Sequence, residues 1–218
     1  MEYQVKYESI QIGDFNYRIR SLKDRQQYSD PQGVAARAGI SSATWPLFGV
    51  IWHSSLVLAE IMHEYKIQGL KILEIGCGLG LASLVAHRRG ADVTASDYHP
   101  MASLFLTENL SLNNFPPLNF KIADWAKSDH LLGKFDLIIG SDLLYEPDHP
   151  GLVSAFIDRN SNKTVKVIII DPGRRLQGKF NKKMSALGYS YTSENVSKRL
   201  TDNSDYKGKI LTYSRKSD

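Results

Sequence analysis

The chain has a single cysteine, Cys77, in 218 residues. That excludes an internal disulfide and makes a reducing compartment, the cytoplasm, the expected location. No apolar run comes close to the roughly 20 residues needed to span a bilayer, so no membrane segment is expected. Met1-Glu2-Tyr3-Gln4-Val5-Lys6 lacks the apolar core of an export signal. Internal repeats and low-complexity tracts are missing as well. The six histidines stand at no ligand spacing with Cys77 or with carboxylates, so no metal site is expected. Charge of one sign is barely in excess: 27 Lys and Arg against 23 Asp and Glu leave +4. That excess permits an acidic protein or RNA partner without demanding either, and an ordinary solvated surface explains it equally well.

What is present is concentrated in one stretch, Leu73-Glu74-Ile75-Gly76-Cys77-Gly78-Leu79-Gly80-Leu81, followed by an acid at Asp97. It reads as a buried strand, a glycine-rich turn and a helix. Glycines at 76, 78 and 80 let backbone approach a ligand because no Cβ intervenes. Asp97 closes the next strand, Asp92-Val93-Thr94-Ala95-Ser96, where an acid about 20 residues after the turn accepts hydrogen bonds from a ribose. A dinucleotide site uses G-x-G-x-x-G and sets a pyrophosphate on the helix N-terminus. Here the spacing is acid-x-Gly-x-Gly-x-Gly, with Glu74 as the acid and Leu at 81. A carboxylate beside the loop repels a pyrophosphate and suits a ligand with an ammonium and a sulfonium, S-adenosylmethionine.

Two alternating runs around Tyr7-Ile10-Ile12 and Phe15-Tyr17-Ile19, split by Gly13-Asp14, predict a β-hairpin appended to the main domain. Residues 21–44 are polar and predict a lid or lead-in, which places the boundary between an N-terminal segment, 1–44, and the main domain, 45–218. From Trp45-Pro46 a helix-like stretch carries Ile51, Leu58, Ile61, Met62 and Tyr65 at helical spacing. Strands and helices then alternate. Strands are expected at 71–75, 92–96, 119–122, 135–140 and 165–170, and helices at 79–89, from Pro100 to about 113, and at 176–187. The runs at 135–140 and 165–170 are continuously apolar, as in strands covered on both faces. Two last runs, 189–196 and 209–213, predict an antiparallel pair at one edge. The fold class is α/β, a doubly wound, mostly parallel sheet with an antiparallel end.

Taken together, Gly49-Val50-Ile51-Trp52, the glycine motif, Ala95-Ser96-Asp97, Asp124-Trp125 and Phe135-Asp136-Leu137-Ile138-Ile139-Gly140-Ser141-Asp142-Leu143-Leu144-Tyr145 resemble the seven-strand class I methyltransferases. Within that group they resemble the non-SET lysine methyltransferases of methyltransferase family 16. The likeness covers roughly residues 45–150, and the Asp-x-x-Tyr after the fourth strand, joined to the upstream Trp52, narrows it to the family. It implies a seven-stranded sheet, S-adenosylmethionine as cofactor and a lysine of a protein substrate as acceptor; a monomer is expected, since nothing in the sequence suggests an obligate oligomer.

The resemblance also implies a role for each matching residue. Trp52 closes over the cofactor; the plainer reading is a core aromatic. Glu74, with the backbone of Gly76, Cys77 and Gly78, holds the amino-acid end. Cys77 is a packed small residue rather than a reactive thiol, since nothing pairs it with a histidine. Asp97 holds the ribose hydroxyls, or caps the helix after Pro100, or both. Asp124 accepts from the adenine amine beside the flat wall of Trp125, and Ser141 lies under the cofactor. Asp142 orients the incoming amine, with a helix cap as the plainer reading. Tyr145 offers a hydroxyl and an aromatic face, with packing as the plainer reading. No obligatory base is expected, because a neutral amine set in line with carbon and sulfur needs little else. Asp171-Pro172-Gly173-Arg174 shapes the substrate entrance, with Arg174 meeting an acidic partner, or is an ordinary turn.

Three other functions compete. Nucleic-acid and release-factor-type enzymes carry paired prolines where this chain has Ser141-Asp142-Leu143-Leu144-Tyr145, and the basic residues are scattered. A small-molecule N-methyltransferase fits the same fold. A cofactor-binding protein without catalysis fits less well, because the intact loop is paired with Asp142 and Tyr145.

Overall fold

A computed structural model of the chain describes residues 2–127, 132–200 and 204–216. The N-terminal hairpin is β1 (Val5–Ile12) and β2 (Phe15–Leu22), paired antiparallel around Gly13-Asp14. The main sheet runs β5 (Asn119–Ile122), β4 (Asp92–Asp97), β3 (Lys71–Ile75), β6 (Phe135–Ser141), β7 (Ser161–Asp171), β9 (Asp205–Arg215) and β8 (Ser190–Arg199). The first five are parallel, and β9 joins β7 and β8 antiparallel. This is the doubly wound seven-stranded sheet with an antiparallel edge that the sequence predicts.

Alternation along the central strands builds two cores. Leu137 and Ile139 of β6, with Ile168 and Ile170 of β7, face α2 (His53–Glu64), α3 (Leu81–Arg88) and α4 (Ala102–Leu112). Ile138, Val167 and Ile169 face the opposite way, toward α5 (His149–Asn160) and α6 (Gln177–Ala186). Both faces are covered, so these strands read as unbroken apolar runs.

The hairpin shares the first of these cores: Ile12, Tyr17, Ile19 and Leu22 are buried with it. The outer backbone of β2 is satisfied by side chains of α4. Arg18 N–H donates to Asn113 Oδ1 and Arg20 N–H to Asn109 Oδ1, at 2.8 and 2.7 Å. Asn113 Nδ2 returns a bond to the Arg18 carbonyl at 2.8 Å. Two asparagines one helical turn apart thus stand in for a neighbouring strand and blunt the sheet edge.

Three elements differ from the sequence reading. The stretch expected as one helix from Trp45 is a 3-10 turn, Trp45–Gly49, then extended residues 50–52, then α2. Trp45–Glu64 is also long and apolar enough, by length and composition, to cross a membrane, which corrects the count of apolar runs. It is broken at Val50, and 61% of its most apolar window is buried within the protein. A short α1 (Val34–Arg37) interrupts the polar lead-in. The sequence reading has no helix between Tyr145 and Val165, yet α5 fills that interval, with Pro150 in its first turn, where a missing N–H costs nothing.

Candidate active site

From β3 the chain steps outward to β4 and β5, then crosses back to β6 on the other side of β3, so a crevice opens at the carboxyl ends of these strands where the order reverses. A cavity of about 770 Å³ occupies it. The sheet order β5-β4-β3-β6-β7 sets the lining in a row: Asp124-Trp125, then Asp97, then the glycine loop, then Ser141–Tyr145, then Arg174. With strands about 4.8 Å apart, the row is about 20 Å long, the reach of an extended nucleoside with a side arm.

The loop after β3 is built for close approach. Gly76 and Gly78 have φ of 60° and 54°. A Cβ on Gly78 would stand 2.9 Å from the Phe48 carbonyl oxygen, and one on Gly76 2.7 Å from Leu143. Cys77 N–H donates to the Ser96 carbonyl at 2.9 Å, tying the loop to β4. The Cys77 thiol is buried, and burial, with Asp97 and Glu74 nearby, pushes its pKa well up. It is a packing residue, and the reactive-thiol reading fails.

Asp97 ends β4 with both carboxylate oxygens engaged by backbone: Gly78 N–H donates to Oδ2 and His99 N–H to Oδ1, each at 2.8 Å. Burial raises its pKa, against the pull of these amides. A carboxylate offers about four acceptor positions, so each oxygen keeps a lone pair for a hydroxyl donor from the cavity. Asp124 accepts from Ala126 N–H at 2.9 Å in an Asx turn that sets Trp125 against the cavity. Trp52 ends the extended link before α2. Its Nε1–H donates to the Leu47 carbonyl at 2.9 Å, its ring lines the cavity, and the Arg25 guanidinium lies 5.4 Å from the ring centroid. Ser141 lines the cavity at the end of β6.

Glu74 is placed differently from the other candidates: it does not line the cavity. It is only 2% exposed and lies under the loop, accepting from Ser83 N–H at 2.8 Å and from Ser83 Oγ. Ser83 is in the first turn of α3, so the carboxylate caps that helix from the neighbouring strand. Burial drives its pKa up to about 7, opposed by the two Ser83 bonds and assisted by Asp97. A buried acid with a raised pKa makes the folded state hold a proton that the unfolded chain has released. Stability therefore falls as pH rises from about 4.5 to about 7 and stays low above it. Glu74→Gln copies the neutral acid, so its stability should match the wild type near pH 5. It should exceed it by about 1–3 kcal/mol at pH 8.5 in urea unfolding. A wild type that is the more stable at pH 8.5 would show that the Ser83 bonds outweigh burial.

At the other end of the row, Asp142 follows β6 with φ of 55° and donates its N–H to the Ile170 carbonyl at 2.8 Å. Its carboxylate is gripped by Arg174 in a two-pronged ion pair: Nε to Oδ1 at 2.5 Å and Nη2 to Oδ2 at 3.1 Å. Arg174 thus has an internal partner within the site. The Asp142 pairing also replaces the helix-cap reading. Tyr145 is 41% exposed, with its ring 4.5 Å from that of His149 and 5.8 Å from the Arg174 guanidinium carbon. Burial of its hydroxyl, with Asp97, Glu146 and Asp142 near, pushes its pKa up to about 12.

Sequence reasoning missed several lining residues, three of them rings that shape the cavity. His149 opens α5, donates Nδ1–H to the Leu143 carbonyl at 2.6 Å, and wedges between Trp125 and Tyr145. The carbonyl can only accept, so Nδ1 carries a proton. Phe48 and His99 stack at 4.0 Å and line the cavity beside Asp97. Only the proximity of His99 to the Asp97 motif signals it in the sequence.

The residues fit an adenosine bearing a cationic side arm. Acceptors stand where hydroxyls and an amine would donate, the glycine cradle admits backbone contact, and aromatic rings supply flat walls. A family model described as lysine methyltransferase matches residues 40–186. A protein N-lysine methyltransferase of Danio rerio, METTL21A, is 32% identical over 163 residues, 70% of this chain and 66% of that protein. The electron transfer flavoprotein beta subunit lysine methyltransferase of Xenopus laevis is 29% identical over 133 residues, 59% of this chain and 53% of that one. The chain thus spans between about half and two thirds of these relatives. Among solved structures, the T. thermophilus 16S rRNA N2 G1207 methyltransferase aligns with TM-score 0.68 at 15% identity, over 99% of this chain and 52% of that one. A SAM-dependent methyltransferase of Methanosarcina mazei aligns with TM-score 0.61 at 14% identity, over 72% and 98% of the two chains. At these identities the two structures share the fold.

Proposed function

Because the chain belongs to the lysine methyltransferase family, we propose that it moves the methyl group of S-adenosylmethionine to the ε-nitrogen of a lysine in a protein substrate. The observation that carries this reading is the single row of lining residues, from a nucleoside-type wall at Asp124-Trp125 and Asp97 to a polar mouth at Asp142 and Tyr145. When bound, the cofactor supplies an electrophilic methyl: a nitrogen–carbon bond forms as the sulfur–carbon bond breaks, and its electron pair leaves with sulfur as a neutral thioether.

The chain's own groups do the rest. Asp97 accepts from the ribose hydroxyls and Asp124 from the adenine amine, against the Trp125 ring. The glycine loop meets the amino-acid arm by backbone, with Glu74 acting only through the helix it caps. Ser141 lies under the arm, while Trp52 and Phe48 exclude water. Asp142 accepts an N–H from the target nitrogen and fixes its direction. Tyr145 stays a neutral phenol through the working pH range, so it is no base, and its ring favours a nitrogen gaining positive charge. Placement in line is the main contribution, and no general base is required.

The proposal sets the enzyme in the cytoplasm, acting as a single chain and away from nucleic acid; a lone buried thiol and dispersed basic residues support that setting. Incubating the purified chain with methyl-labelled cofactor and a cytoplasmic extract tests it. A discrete labelled band destroyed by protease and resistant to nuclease is the expected result. Label removed by nuclease, or confined to small molecules, would contradict it.

A further inference from the structure

A carboxylate alone at the point where a lysine enters would bind the wrong form of it. An ammonium beside an uncompensated carboxylate is stabilised as the cation, and a nitrogen without a lone pair cannot attack. Yet Asp142 is only 11% exposed at its side chain, and its charge is already met by Arg174. The contact is built from both sides. Asp142 is held by its positive φ and its backbone bond to β7. Arg174 is aimed by the turn after β7, where fully buried Asp171 accepts the N–H groups of Gly173 and Arg174 at 3.0 Å each. Two strand ends thus converge to close one ion pair beside the cavity.

We propose that Arg174 is a positioning residue that keeps the Asp142 subsite electrically neutral, so that the site receives the target nitrogen as a free amine rather than as an ammonium. This rests on the reading of the cavity as a methyltransferase site. A carboxylate held by two guanidinium nitrogens still has open lone pairs, so Asp142 accepts an amine N–H without adding net charge. The other charged or titratable groups facing this point are Glu146 just before α5 and His149 in its first turn, Tyr145, Asp97 at the end of β4, Asp171 at the end of β7 and Tyr206 on β9. Several are acidic, so removing Arg174 leaves the mouth strongly negative.

The binding arm of the test needs no knowledge of the substrate. S-Adenosylhomocysteine has a neutral thioether at the transfer point. Sinefungin carries a primary ammonium on carbon where the cofactor has its methylsulfonium, so it places a cation at the transfer point. Both are titrated calorimetrically into the purified full chain. In Arg174→Met, sinefungin should gain about tenfold over S-adenosylhomocysteine relative to wild type. In Asp142→Asn, which leaves Arg174 uncompensated, it should lose about tenfold. Arg174→Lys, which restores the charge, should keep the wild-type ratio. With the labelled protein as acceptor, Arg174→Met should lower both KM and kcat at pH 7. The midpoint of its pH–kcat curve should rise by about 1–2 units, so activity returns at alkaline pH. An unchanged ligand ratio with an unshifted midpoint would overturn the proposal and leave Arg174 a structural brace. Faster transfer by Arg174→Met at every pH would overturn it in favour of a blocking residue. Failure of both ligands to bind the wild type would instead overturn the methyltransferase reading beneath it.

Discussion

Asp142→Ala should cut kcat by about 10²–10³-fold while the affinity for S-adenosylhomocysteine, which has no charge at the transfer point, stays within about threefold of wild type. The magnitude is that of losing one preorganised polar group at the reacting centre. The separation of effects follows from position: Asp142 lies after β6, beyond the glycine loop, and its carboxylate is bonded to Arg174. Alanine also meets a left-handed backbone at φ 55°, a cost of about 1 kcal/mol that Asn avoids. Asp142→Asn is therefore the control: it keeps the backbone and one acceptor, and should retain more kcat than alanine. Calorimetric titration of S-adenosylhomocysteine and steady-state labelling read the two quantities separately. A loss of more than tenfold in S-adenosylhomocysteine affinity would move Asp142 into the cofactor's own shell.

Asp97→Ala should have the opposite signature, weakening S-adenosylmethionine by about 10²–10³-fold. Hydrogen bonds to a charged group contribute about 1.5–3 kcal/mol each, and two ribose hydroxyls are at stake. The same carboxylate holds the amides of Gly78 and His99, so its removal also loosens the loop that meets the side arm. Asp97→Asn keeps an acceptor and should lose less. Unchanged affinity in Asp97→Ala would remove the ribose assignment.

The parallel sheet is legible because its strands are short apolar runs bounded by glycines and acids, and the order of runs constrains topology. The cofactor wall is legible for the same reason: its residues sit at strand ends, and the sheet brings strand ends together. Three things needed the third dimension. The helix α5 opens on Asp148-His149-Pro150-Gly151, which by composition is a turn, so His149 went unseen. The 45–64 stretch keeps helical spacing on both sides of Val50, so side-chain pattern hides the backbone break. The ion pair of Asp142 with Arg174 joins residues 32 apart in the chain and exists only because β6 and β7 lie side by side in parallel. Glu74 shows the limit of motif reading. Alternation along β3 turns it toward α3 and Ser83, so the acid of the motif braces the loop from beneath while Asp97 faces the ligand.

The central claim is the chemical identity of the acceptor atom. Its most direct test is mass spectrometry of the protein labelled by the purified chain, with Asp142→Ala as the paired control. A peptide heavier by one or more methyl groups, with the mass located on a lysine side chain and missing from the control, is the result this account predicts. The same mass found on histidine, arginine or a chain terminus, or found equally in the control, would contradict it.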